Sequence, residues 1–180
     1  MRAMKIISVL VIGGLGLSGL GVASPGSAGA TGTTPMSVTI TGGSLSITVP
    51  SATANMGSHQ NQVAGETVSG PLGEVRVDDA RNAVAGSGWI ATVIATALTP
   101  PSGPAIAASA LSYSTGIVTK VGTATYTSND PADLTAVNAV VTATAITGDN
   151  AATWTPTISI TIPGGMAAGV YTTTITHSVA

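Results

Sequence analysis

The chain has no cysteine and no phenylalanine, and only 7% of its 180 residues are charged. Without cysteine there is no disulfide framework, thiolate nucleophile or thiolate metal ligand, so packing and hydrogen bonding must hold the fold. With aromatics at 3%, the core must be built from Val, Ile, Leu and Ala around a few large rings. The shortage of charge leaves too little polar surface to solvate several amphipathic helices. Beyond residue 30, Arg76, Arg81 and Lys120 face seven acids: Glu66, Glu74, Asp78, Asp79, Asp130, Asp133 and Asp149. A net charge of about −4 with no basic patch argues against nucleic acid and anionic membrane surfaces as partners.

The N-terminus carries the order of a secretory leader. Arg2 and Lys5 precede an apolar, glycine-broken run from Ile6 to Val22, and small residues follow, ending in Ala28-Gly29-Ala30. This places a signal peptide at residues 1–30, with cleavage after Ala30 and Ala23 or Ala28 as alternatives. The run is short for a membrane span, so a retained anchor is the lesser reading and no span is expected after cleavage. The mature chain, residues 31–180, suits one domain and a secreted, extracellular or wall-associated location.

What the mature chain has in abundance is threonine: all 28 threonines lie beyond Ala30. A branched Cβ fits a pleated surface, and the hydroxyl lets that surface face water without charge. Period-two alternation is explicit in "SLSITVP", with Leu45, Ile47 and Val49 on one face. "GEVRVDD" sets Val75 and Val77 against Glu74, Arg76 and Asp78, and "TPTISITIPGG" aligns Ile158, Ile160 and Ile162 before a turn. That period marks half-buried strands.

Three further segments read as strands: "GWIATVIATAL" (88–98), apolar on both faces and central; "IVTKVGTATYT" (117–127); and "LTAVNAVVTATAIT" (134–147). In the last, Val137, Ala139 and Val141 share one face and Val140 and Ile146 the other, with an alanine-rich helix as the rival reading. Loops are expected at 54–73, 82–88, 100–110 and 148–152. Strands so separated, without long helices between them, predict an all-β fold, an antiparallel two-sheet β-sandwich.

Chemistry-bearing motifs are sparse. His59 and His177 are far apart and lack a third ligand, so no metal site is expected, and no cofactor either. There is no phosphate loop or nucleophile elbow, so the chain reads as non-enzymatic. Glu74 with Asp78 and Asp79, or the run Asn129–Asp133, reads as a charged strand end or an Asx turn, with calcium the alternative. Trp89 and Trp154 read as core anchors, with an exposed carbohydrate-stacking platform the alternative for Trp89. In "YTTTITHSVA", alternation puts Tyr171, Thr173, Ile175, His177 and Val179 on one face. His177 is therefore expected to be partly buried, hydrogen-bonded through one ring nitrogen and neutral at pH 7.

The blocks "GSLSITVP", "VSGPLGEVRVDDARNAVAGSGWIATV" and "ATWTPTISITIPGGMAAGVYTTTITHSVA" resemble the WxL-like surface domain of Gram-positive bacteria, in its secreted actinobacterial form. The family's Asp-x-Arg-Gly and Gly-Trp segments fall on Asp79-Ala80-Arg81-Asn82 and Gly88-Trp89. Its C-terminal pattern falls on Tyr171, Ile175, Thr176, His177 and Val179, with His177 at the tryptophan position and Val179 at the leucine position. The resemblance implies a β-rich surface domain held non-covalently to cell wall peptidoglycan or to another cell-surface protein. Under it, Trp89 would stack on a wall ligand while Asp79, Arg81 and Asn82 hydrogen-bond beside it. The alternative for the polar trio is a local Asp–Arg pair or cap, and the alternative for the whole domain is a structural protein that self-assembles through strand-edge association.

Overall fold

A computed structural model describes residues 35–180; the expected signal peptide lies outside them. The chain divides into two units, Met1–Thr39 and Ile40–Ala180, and every named element belongs to the second. That unit contains strands β1 (Leu45–Thr48), β2 (Glu66–Pro71), β3 (Val75–Ala95), β4 (Leu111–Ser114), β5 (Thr119–Ser128), β6 (Asn138–Trp154), β7 (Thr157–Ile162) and β8 (Ile175–Val179). A single 3₁₀ turn, Ala108–Ala110, precedes β4.

The strands form an antiparallel two-sheet sandwich. The large sheet has the order β1-β3-β6-β5, with β8 also paired to β3, and the small sheet runs β2-β7-β4. Val75, Val77, Trp89, Val93, Val141, Ile146 and Trp154 of the large sheet are buried, as are Leu111, Tyr113, Ile158 and Ile160 of the small one, and they belong to one core cluster. Outside, threonine supplies the wet surface of β5 and β6. Thr119 opposes Thr153, Thr123 opposes Thr147, Thr125 opposes Thr144 and Thr127 opposes Thr142. Such cross-strand hydroxyl pairs stabilise a sheet while leaving it without charge.

The all-β sandwich expected from the sequence is the fold observed, but several boundaries differ. Residues 82–88 are no loop: β3 runs unbroken from Val75 to Ala95, with register shifts against β6 between Asp79 and Trp89. Asn82 adopts a left-handed φ of 51°, which asparagine tolerates better than most side chains, so the strand bulges instead of turning. Residues 148–152 likewise lie inside β6, and β2 occupies part of the loop expected at 54–73.

The face assignment in β6 also changes. Val140 and Val141 are both buried while Val137 is 64% exposed. The register steps from Ala91↔Val141 to Thr92↔Ala139, and the bulge turns two consecutive side chains inward. A second irregularity comes from β5, where Gly122 has a φ of 86° and a Cβ there would lie 2.5 Å from the Asp149 carbonyl oxygen. Only glycine fits that position.

Candidate functional site

Three of the four residues singled out by the sequence meet in one place, at the bulge of β3. The Asp79 carboxylate is buried and receives Arg81 Nε at 2.8 Å and Arg81 Nη2 at 2.9 Å. It also accepts the Arg81 backbone N–H at 3.2 Å and Asn150 Nδ2 at 3.2 Å. Asn150 is itself buried, and its Oδ1 accepts Trp89 Nε1 at 2.8 Å and the Tyr126 hydroxyl at 3.3 Å. Arg81 Nη2 also reaches the Gly88 carbonyl at 3.2 Å. The Arg81 hydrogen bonds hold the Asp79 carboxyl below its ordinary range, because each of them favours the charged form.

This arrangement is an internal clamp. Trp89 is 1% exposed, packed edge-on against Tyr126 at 5.9 Å, and offers no open indole face on which a sugar could stack. Asn82 is exposed and lies outside the clamp; its backbone N–H donates to Asp149 Oδ1 at 2.9 Å. The local Asp–Arg pair, the alternative reading of the trio, describes the observed geometry of Asp79 and Arg81. Asn150, the residue that joins the pair to Trp89, carried no sequence signal beyond its place in the turn-like Gly-Asp-Asn.

Two further acids are engaged in local structure. Asp130 accepts the Thr115 backbone N–H at 2.7 Å and the Ser114 hydroxyl at 3.0 Å. Asp133 accepts the Thr135 backbone N–H and hydroxyl, each at 2.6 Å, the Asx-type turn expected at that segment. Among the described residues, no group of three or more His, Cys, Asp and Glu is placed to hold a metal ion.

A different place has the shape of a binding site. A cleft of about 980 Å³ lies where β2 ends the small sheet and β8 flanks the large one. Val68, Ile160, Ile162, Met166, Ile175 and His177 line it, together with the irregular segment 49–62. Its polar groups, many of them from 51–62 and Thr172–Thr174, include the pair His59 Nδ1–Glu66 Oε1 at 3.4 Å. The sequence reading missed this feature, since the alternation of "ETVSGP" is cut short by Gly70 and Pro71 and left β2 inside an expected loop.

His177 sits on the wall of this cleft. It is half-buried, on the same face as Ile175 and Val179, as alternation required. Trp154 Nε1 donates to the Tyr113 hydroxyl at 2.8 Å, and that hydroxyl lies 3.2 Å from His177 Nε2. The direction of that hydrogen bond follows the ring tautomer: the Tyr113 O–H donates to Nε2 where a neutral ring carries its proton on Nδ1. Burial depresses the His177 pKa from the ordinary 6.5 to about 4.

The linkage sign follows from which state binds the proton. Between pH 6.5 and 4 the unfolded chain protonates this ring and the folded chain does not, so stability is full above 6.5 and falls as pH approaches 4. Urea titrations across that window are expected to show this slope in the native chain and to lose most of it in His177→Phe. An unchanged slope in the variant would remove His177 as its source.

No family model matches the chain, no similar protein was found among curated proteins or solved structures, and the WxL-like resemblance rests on the sequence blocks alone.

Proposed function

We propose that this is a secreted, non-enzymatic domain of the cell surface that associates non-covalently with another envelope protein through the cleft between β2 and β8. The observation that carries the reading is the cleft itself: large, with apolar side chains of both sheets on its wall, and bordered by two strands that, among the described residues, each pair on one side only. Concave apolar surface beside an unpaired strand edge suits an extended protein segment, whose backbone adds to the edge while alternate side chains enter the cleft. The non-enzymatic part of the reading draws on the engagement of Asp79, Asp130 and Asp133 in hydrogen bonds that shape the fold. Direct recognition of peptidoglycan by Trp89 would need an indole face that the clamp with Asn150 and Tyr126 covers.

The test compares retention of the mature chain on protein-free peptidoglycan with retention on envelope fragments that keep their surface proteins. Retention is expected only on the second, and to drop several-fold in Met166→Lys, which puts a charge into the half-buried wall of the cleft. Equal retention of both proteins on bare peptidoglycan would overturn the reading in favour of wall binding away from the cleft.

A further inference from the structure

Residues 36–41 read "MSVTIT", a strand pattern by period two, with Met36, Val38 and Ile40 alternating with Ser37, Thr39 and Thr41. The structure assigns these residues to no strand. Met36 is 94%, Val38 81% and Ile40 90% exposed. Scattered apolar residues on a surface are ordinary, but three in strict alternation form a ready face without a partner.

The following Gly42-Gly43 would be a hairpin turn if it had the left-handed backbone that such two-residue turns require. Neither glycine adopts a positive φ. Instead the Gly43 N–H donates to the Ala80 carbonyl at 2.6 Å and the Ala80 N–H to the Ser44 carbonyl at 3.1 Å, so the chain continues along β3 ahead of β1.

The cleft has the complementary features. Just beyond the two ends of β8, Ala180 exchanges both backbone hydrogen bonds with Ile90, and the Thr96 N–H donates to the Thr174 carbonyl. Antiparallel alternation then turns the backbone groups of Ser178 and Thr176 toward β3, and those of Ile175, His177 and Val179 toward the free edge. The side chains of Ile175 and His177 line the cleft. A strand added at this edge would place every second side chain among Val68, Ile160, Ile162 and Met166. The donor segment carries no charge, which suits a wall whose only ionisable side chains are His59, Glu66, Tyr171 and His177.

We propose that the protein associates with a second copy of itself by strand donation, residues 36–41 of one copy adding to the free edge of β8 in the next, with Met36, Val38 and Ile40 filling its cleft. This rests on the reading of the cleft above as a protein-docking site and commits its occupant to a second copy of the chain in place of a different envelope protein. The contact is head-to-tail, since segment and cleft are different surfaces, so it propagates into chains or closes into rings.

The experiment uses the mature chain and two variants, Ile40→Asp in the exposed segment and Met166→Lys in the cleft. Sedimentation equilibrium is expected to show native mass rising with concentration, and each variant to need roughly tenfold or more higher concentration to associate. Mixed together, the two variants are expected to form a one-to-one pair that goes no further, because one retains an intact cleft and the other an intact segment. A native chain that stays monomeric at the highest concentration overturns the proposal, as does assembly of either variant at the native level or failure of the mixed pair to form. Circular dichroism is expected to show Ile40→Asp folded, since the side chain it replaces is 90% exposed. Loss of self-association together with Met166-dependent retention on envelope fragments would leave the cleft reading standing with a different protein in it.

Discussion

Trp89→Ala is expected to destabilise the domain by about 3–5 kcal/mol, the range for truncating a buried aromatic ring in a packed core. The indole is 1% exposed, contacts Tyr126 edge-on, and its Nε1 satisfies the buried Asn150. For a domain of this size the midpoint of thermal unfolding should fall on the order of 10 °C, read by circular dichroism. The native chain has no cysteine, so no thiol chemistry complicates refolding. A ring serving as a ligand platform would behave oppositely, with stability held and binding lost, and that outcome would return Trp89 to the surface. Trp89→Phe is expected to cost less, since Asn150 Oδ1 keeps the Tyr126 hydroxyl as a donor.

Asp79→Ala is the second large effect, expected at roughly 2–4 kcal/mol in urea denaturation. The carboxylate is buried and accepts from the Arg81 guanidinium, the Arg81 backbone and Asn150. Its removal strands Asn150 Nδ2 in the core, whereas the Arg81 side chain, 38% exposed, can turn to water. That escape keeps the cost below that of a fully enclosed ion pair. Asp79→Asn should recover part of the loss, because the amide oxygen still accepts one donor. An Asp79→Ala variant as stable as the native chain would show that the clamp contributes nothing net.

These two residues illustrate how far the sequence could be read. Strands with clean alternation, such as the one bearing Ile158 and Ile160, came through intact because burial on one face imprints period two directly. Both tryptophans proved to be core anchors, as size and scarcity suggested. The bulges around Asn82 and between Val140 and Val141 were not legible, since one extra residue in a ladder leaves no compositional trace and flips every face assignment beyond it. Asn150 was illegible for another reason: its partners, Asp79 and Trp89, are distant in sequence, and only the pairing of β3 with β6 brings them together. The cleft was hidden because β2 is too short to display a period, and the alternation of β8 does not show which surface it will face.

The placement of β8 on β3 bears on how the domain closes. The chain must pass through β4, β5, β6 and β7 after leaving β3 before its last strand can pair beside Val93 and Ala95. Sheet completion therefore waits on a contact of long sequence separation, which puts refolding in the slow regime of non-local β topologies, milliseconds to seconds. The end of β3 beside Val93 and Ala95 thus gains its β8 partner only when almost the whole polypeptide is available, whereas β1 can pair with its start from the outset.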